Sequence, residues 1–151
     1  MSITFLCPIH RDWVYFHPQE AMHNMEDTQN QGESLLQQRD WREAIGYLGC
    51  AFETTEILME LQGARKSFLL SRLASLAVML ATGFYHLNEH DCAQVILKQA
   101  QQKLQQAAET SLGDKSRLAY IQECLFSVRT SQEQFRAKHI FELPALTEQF
   151  H

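Results

Sequence analysis

The most constraining feature of this 151-residue sequence is a long stretch that contains few helix breakers. No proline occurs between Pro18 and Pro144, and the whole chain has only six glycines. Proline and glycine interrupt helices more strongly than any other residue, so their scarcity favours long helices. Apolar residues recur three and four positions apart through this stretch, and no strand-like alternation follows residue 17. The sequence therefore predicts an all-α protein.

Helix start and stop signals divide the stretch into about five long helices. Proline suits the first helical position, so Pro18 predicts the start of the first helix. Asp40 followed by Glu43 has the spacing of a capping box, and Asp114 is a second expected N-cap. Pro144 is expected to stop the last helix. The predicted helices lie at about 18–38, 40–62 and 65–87, then between the turn at 88–91 and Gly113, and at 115–140.

The organisation predicted for the chain is one helical domain with a short segment at each end. Residues 1–17 are interpreted as an irregular apolar lid, 18–140 as the helical domain and 141–151 as a C-terminal tail. The lid is expected to pack its apolar side chains over the open end of the helices. These side chains are Ile3, Phe5, Leu6, Ile9, Trp13, Val14 and Phe16.

Composition limits the classes of function. The net charge of -5 argues against a nucleic-acid-binding domain, which normally has a basic face. The N-terminus lacks a signal-peptide pattern, and the most apolar run, 75–85, is too short to span a membrane. The cysteines form no CxxC pair, so reduced and mostly buried thiols in a cytoplasmic protein are expected. They are Cys7, Cys50, Cys92 and Cys124.

Two segments of the chain repeat at an offset of 49 residues. The first, 32–52, reads GESLLQQRDWREAIGYLGCAF, and the second, 81–101, reads ATGFYHLNEHDCAQVILKQAQ. The small residues of the aligned pairs Gly32/Ala81 and Ala44/Ala93 allow two helices to approach closely, and large apolar residues fill the flanking space. Each segment is therefore predicted to form an antiparallel helical hairpin. The aligned pairs are Gly32/Ala81, Leu35/Phe84, Ala44/Ala93, Leu48/Leu97 and Ala51/Ala100.

This pattern resembles the tetratricopeptide repeat (TPR) family over about residues 25–105. The resemblance in the first hairpin rests on Gly32, Leu35, the RDW turn at 39–41, Ala44, Leu48 and Ala51. The chain departs from the family in its offset of 49 rather than roughly 34 residues. It also has Glu56 in place of the closing proline, and Arg39 or Asn88 in place of the turn glycine. A plain helical bundle with chance packing of small residues is the alternative.

The resemblance implies a scaffold whose concave face holds a peptide or helix of a partner protein. In the family this face is lined by the first helix of each pair. The corresponding residues here are Gln29, Glu33, Leu36, Gln37, Val78, Thr82, Tyr85 and His86. Family members that grip a C-terminal carboxylate use Lys, Arg and Asn on this face, and only Asn30 fits. A helix or apolar segment docked on Leu36, Val78 and Tyr85 is therefore expected instead.

Metal ligation can be considered at two places and is not predicted at either. Thiolate and imidazole suit zinc, and Cys7, His10, His17 and His23 form a weak candidate set. C-x2-H is a recognised ligand spacing, but no second tight pair follows it. A second cluster contains His86, His90 and Cys92, but the repeat alignment places a turn inside it. No cofactor is expected.

Two other functional classes stay open beside a non-enzymatic adaptor or regulator. Arg11 and His17 have the Arg-x5-His spacing of HEPN-type ribonucleases, where such residues stabilise phosphate and move protons. Pro18, directly after the histidine, contradicts the mid-helix context of that motif. The third class is a homo-oligomeric scaffold, for example a homodimer, in which the last helix or 141–150 pairs between copies. The preferred prediction is an adaptor that binds another protein and has no catalytic residues.

Overall fold

The structure, a computed structural model, describes residues 3–62 and 67–149; for residues 140–149 it describes the backbone only. The described chain forms six helices and no strand, which confirms the all-α prediction. Helices two to five lie within a few residues of the bounds predicted for the first four. The six are α1 (Pro8–Phe16), α2 (Pro18–Gln37), α3 (Trp41–Gln62), α4 (Ser67–His86), α5 (His90–Glu109) and α6 (Lys115–Gln149).

Helices α2 to α6 pack in sequence, each of α2, α3, α4 and α5 against the helix that follows it, and α4 lies at the centre. Helix α4 contacts α2, α3, α5 and α6, while α1 contacts only α2 and α3 to any extent. By length and composition alone, Ser67–His86 could cross a membrane. More than half of its most apolar window (56%) is nevertheless buried among the other helices, as expected of a core helix. The most apolar helix is therefore the central one.

The α2–α3 and α4–α5 turns have the same backbone geometry at the predicted offset of 49 residues. Arg39 and Asn88 occupy equivalent positions and have positive φ angles of 63° and 61°. In each turn the next residue donates its N–H to the carbonyl five residues earlier, as in a Schellman motif. These bonds join Asp40 to Leu35 and Glu89 to Phe84, each at 2.9 Å. The internal repeat is therefore present in the backbone of both turns.

The predicted close approach at Gly32 is also found. A Cβ atom at Gly32 would lie 2.6 Å from Cγ of Leu48, so only glycine fits there without movement of α3. At the equivalent position Ala81 is fully buried. The N-cap predicted at Asp114 is confirmed as well, because its Oδ1 accepts the N–H of Arg117 at 3.1 Å.

The two ends of the chain differ from the prediction. The segment interpreted as an irregular lid contains helix α1, so the described residues hold six helices rather than five. Cys7 is the N-cap of α1 and Pro8 takes its first position, where a missing N–H costs nothing. At the other end α6 continues through Pro144 to Gln149. A single proline removes one backbone hydrogen bond, and this 35-residue helix continues beyond it.

Candidate protein-binding groove

An apolar groove lies between α1 and the outer side of the α2–α3 pair, and we call it the N-terminal groove. Its volume is about 500 Å³, which is within the range of pockets that enclose ligands. Helix α2 contributes Ala21 and Met25 to its floor, and α3 contributes Cys50 and Ala51. Trp13 of α1 forms part of one wall. A depression of this kind can receive apolar side chains of a second molecule.

Large apolar side chains are exposed beside the groove. On α1, Ile9 is 81% and Phe16 is 78% exposed, and Trp13 lies half-buried between them. The spacing of four and three residues places all three on one face of α1. Across the groove, Tyr47 of α3 is also exposed. Ile9 and Phe16 were expected to cover the helices, and the structure places them in solvent instead. Exposed large apolar side chains that share a helix face are typical of an interaction site.

A buried carboxylate, Glu53 of α3, holds the α1 wall in place. Its Oε1 accepts the N–H groups of Phe5 at 2.6 Å and Leu6 at 3.0 Å. Its Oε2 accepts Nε of Arg11 at 2.8 Å. The hydrogen bond and the negative charge of Glu53 raise the pKa of the Arg11 guanidinium. The side chain of Val14 is buried with Ala21, so α1 is attached by both polar and apolar contacts.

The wall of the groove on α2 is acidic. The sequence of α2 contains four carboxylates and neither lysine nor arginine. Glu20 is exposed and lines a depression beside Ile9 and Trp13 that adjoins the groove. Asp27 is exposed seven residues further on, which places it on the same side of α2. Glu43 of α3 lines the groove itself. An uncompensated set of like charges produces a negative potential that attracts cationic groups.

The repeat offset of 49 shows which face of the hairpin the groove occupies. Helix α4 has a seam of residues spaced alternately four and three apart, made of Leu69, Leu73, Leu76, Leu80 and Gly83. The four leucines are fully buried. A Cβ atom at Gly83 would lie 3.0 Å from Cγ1 of Ile45, so the seam faces α3. The equivalent residues of α2 are all polar and exposed: Glu20, Asn24, Asp27, Gln31 and Ser34.

The residues of the groove floor can also be compared with their equivalents in the second hairpin. Ala21, Met25 and Ala51 of the floor are buried, as are their equivalents in the second hairpin, whereas Tyr47 is 41% exposed where Ile96 is fully buried. The floor pairs are Ala21/Leu70, Met25/Ala74 and Ala51/Ala100. In the second hairpin this face is covered by the α2–α3 hairpin, chiefly by α3. In the first hairpin α1 covers it only in part, and the N-terminal groove is the remainder.

The residues predicted for the concave face lie on α2 and α4. Gln29 and Glu33 are hydrogen-bonded to each other at 3.1 Å, and Gln29 accepts a bond from Arg72 of α4 at 2.8 Å. Leu36 and Val78 are half-buried against the main core.

The remaining residues of this predicted face lie in other surroundings. The hydroxyl of Thr82 donates to the backbone of its own helix, and Gln37 is exposed. The ring of Tyr85 lies 5.1 Å from that of Phe135 on α6, so α6 covers part of this tyrosine. His86 stacks on Trp41 at 4.1 Å. Each of the predicted docking residues Leu36, Val78 and Tyr85 is half-buried.

The residues considered as metal ligands have other contacts. The Sγ of Cys7 accepts the backbone N–H of His10 at 3.4 Å and lies 3.5 Å from Nδ1 of that histidine. His17 joins α1 to α2, and His23 is exposed on α2. His90 contacts the ring of His139 at 4.2 Å. Among the described residues no group of three or more His, Cys, Asp or Glu side chains is arranged to hold a metal ion.

The two residues of the HEPN-like spacing are separated in their contacts. Arg11 is directed at Glu53 and also donates to the carbonyl of Leu6 at 3.0 Å. His17 lies beyond the end of α1, exposed, with its ring 6.1 Å from that of Trp13. The arginine therefore has a structural partner on α3 rather than a position in a cleft shared with the histidine.

The groove was missed at the level of sequence because its residues come from three helices and include only ordinary core types. One signal was available in the repeat alignment. The leucines of the α4 seam align with polar residues of α2, and this contrast indicates that the two hairpins have different surroundings on that side. Comparisons with protein-family models, with curated proteins and with solved structures find no match for this chain.

Proposed function

We propose that this protein is a non-enzymatic, TPR-like adaptor that binds a helical segment of another protein in the N-terminal groove. One observation carries the proposal. The face of the first hairpin that forms the groove is equivalent to the face of the second hairpin that the preceding helices cover. A partner helix in the groove occupies, relative to α2, the place that α3 occupies relative to α4. This is the helix-in-groove mode of recognition.

The exposed apolar side chains support this proposal energetically. Full burial of a large apolar side chain contributes about 1.5–3 kcal/mol. Ile9, Phe16 and Tyr47 are available for such burial beside the groove. Together they supply a substantial part of the roughly 8 kcal/mol that corresponds to a micromolar complex. The face predicted from the sequence is a weaker candidate, because Leu36, Val78 and Tyr85 are already half-buried.

The experiment is affinity purification of partners with matched surface variants. Ile9→Glu combined with Phe16→Glu changes exposed residues at the groove and is expected to abolish recovery of the partner. The control combines Leu112→Glu with Phe126→Glu, which are equally exposed residues at 74% and 73% elsewhere on the molecule. The control is expected to recover the partner at the wild-type level.

Circular dichroism must show unchanged helicity for both variants. Partner recovery that is equal for the groove variant and wild type would refute the groove as the binding site. Loss of the partner in both double variants would refute the assignment to the groove in particular. Light scattering on the isolated protein tests the homo-oligomeric alternative. The adaptor is expected to be a monomer, and the homo-oligomeric scaffold is expected to be a dimer or larger.

A further inference from the structure

We infer that the N-terminal groove selects an amphipathic helix that carries lysine or arginine along one edge, spaced seven residues apart. This inference rests on the proposed function of the groove and specifies the chemistry of its partner. The groove recognises the apolar side of such a helix with its floor and the cationic edge with Glu20 and Asp27 of α2.

The spacing of the carboxylates on α2 sets the spacing of the partner charges. Glu20 and Asp27 are seven residues apart, so they lie on the same side of α2 and about 10 Å apart along its axis. A second helix that packs along α2 presents its own residues i and i+7 at the same interval. On such a helix residues i+1, i+4 and i+5 form the stripe beside this edge, and they are expected to face the floor at Ala21 and Met25. The expected partner has cations at i and i+7 and apolar residues at i+1, i+4 and i+5.

The charges of this wall are not neutralised within the described chain. The ion pairs found there join Arg11 to Glu53 and Arg136 to Glu133, and neither involves Glu20 or Asp27. Helix α2 has no lysine or arginine of its own. In α4 the same two positions are leucines. The wall is therefore polar where the second hairpin is apolar, and a partner that is apolar on all sides would leave these carboxylates without water or counter-charge.

Residues 140–149 and helix α6 of this chain do not have this chemistry. Residues 140–149 read IFELPALTEQ, which contains two glutamates and no lysine or arginine, so an acidic wall disfavours this segment. Helix α6 has Arg129 and Arg136 seven residues apart, but Phe126 is its only large apolar side chain exposed among the described residues. A second copy thus offers either the charge or the apolar stripe but not both. The fitting occupant is a segment of a different protein.

The test uses designed peptides as probes of the full-length protein. One fluorescein-labelled helical peptide carries lysine at i, i+7 and i+14, with leucine at the i+1, i+4 and i+5 positions of each heptad. A second peptide has glutamate in place of every lysine. The protein variant is Glu20→Gln with Asp27→Asn, and its matched control is Glu26→Gln with Glu33→Gln on the opposite side of α2. Binding is measured by fluorescence anisotropy at 50 and 300 mM salt.

The wild-type protein is expected to bind the lysine peptide more tightly than the glutamate peptide, and more so at low salt. The Glu20→Gln/Asp27→Asn variant is expected to lose about three- to tenfold in affinity for the lysine peptide, because it removes two exposed ion pairs and each such pair contributes little. The Glu26→Gln/Glu33→Gln control is expected to match the wild type.

The outcomes separate this inference from the proposed function. Equal binding of both peptides by wild type, or no change in the Glu20→Gln/Asp27→Asn variant, overturns the charge selection but leaves the groove as a binding site. Unchanged binding of the lysine peptide by the Ile9→Glu/Phe16→Glu variant overturns the groove itself. A dimer seen by light scattering that dissociates in the Ile9→Glu/Phe16→Glu variant would identify a second copy as the occupant and refute the inference.

Discussion

Replacement of Glu53 by alanine is expected to detach α1 and the preceding residues from α3 while α2–α6 stay folded. Glu53 is 6% exposed, and it accepts three hydrogen bonds from the N-terminal segment. Hydrogen bonds to a charged group contribute about 1.5–3 kcal/mol each. Because the side chain of Arg11 is 35% exposed, water hydrates it once Glu53 is removed, and we expect a total loss of about 2–3 kcal/mol. It falls on the docking of the segment, because α1 contacts only the outside of α2 and α3.

A glutamine at position 53 separates the contributions of the two carboxylate oxygens. In the native protein Oε1 accepts both backbone N–H groups, and Oε2 accepts the guanidinium of Arg11. Glu53→Gln keeps an oxygen for the N–H groups of Phe5 and Leu6 but presents an NH₂ group to Arg11, which has no acceptor. The glutamine variant is therefore expected to lose less docking stability than the alanine variant. Arg11→Met is expected to add little further loss to Glu53→Gln in a double-mutant cycle.

Hydrogen exchange is the assay, because it reports local opening separately from global unfolding. In Glu53→Ala the amides of residues 8–16 are expected to exchange much faster, while those of α4 keep wild-type protection. Trypsin is expected to cleave after Arg11 rapidly in this variant and slowly in the wild type. Unchanged exchange over residues 8–16 would refute the reasoning and would mean that the buried side chain of Val14 holds α1 alone. The same variant should lose affinity for the lysine peptide, since α1 forms a wall of the groove.

Three further predictions concern the core and the buried ionisable groups. Gly32→Ala is expected to destabilise the protein by about 1–2 kcal/mol in urea titrations, since its Cβ would meet Leu48 at 2.6 Å and this strain exceeds the gain in helix propensity; unchanged stability would mean that Leu48 moves freely. Burial raises the pKa of the Glu56 carboxyl in the folded protein. The contribution of Glu56 to the free energy of unfolding is therefore complete below the pKa of an unfolded glutamate, about 4.3, and it is lost as the pH rises through the higher pKa of the folded state. Glu56→Gln is therefore expected to gain in melting temperature relative to wild type between pH 5 and 8, and parallel pH profiles would contradict this. Burial also raises the pKa of the Cys50 thiol, so iodoacetamide at pH 8 is expected to modify Cys50 more slowly than the exposed Cys7, as peptide mass mapping can show; equal rates would refute it.

The helices and turns of this fold were predictable because their signals are local. Pro18 starts α2, and the carboxylate of Asp114 accepts a hydrogen bond from the first turn of α6. The close approach at Gly32 followed from a pair of small residues at one repeat offset. These features depend on a few neighbouring residues, and no distant contact overrides them.

The two ends of the chain were harder to predict because tertiary contacts and helix length decide them. Helix α1 spans only nine residues and Val14 is its one buried residue, so it depends on the contact with Glu53, more than 40 positions away in sequence. Pro144 is a strong local stop signal, but a helix that has already formed many turns continues past it. The groove was missed for the same reason as α1, since its walls come together only when α1 packs on α2 and α3.

The length of α1 explains why the groove exists at all. Pro8 and Pro18 limit α1 to nine residues, because proline favours the first helical position and disfavours helical geometry in the residue before it. His17, directly before Pro18, accordingly leaves the helical region at φ -130° and ψ 61°. At 1.5 Å per residue α1 is about 13 Å long, whereas the 22-residue α3 that covers the second hairpin is about 33 Å long. A cover of this length shields less than half of the first hairpin. Along the remainder the polar seam of α2 is exposed, and the N-terminal groove opens between α1, α2 and α3.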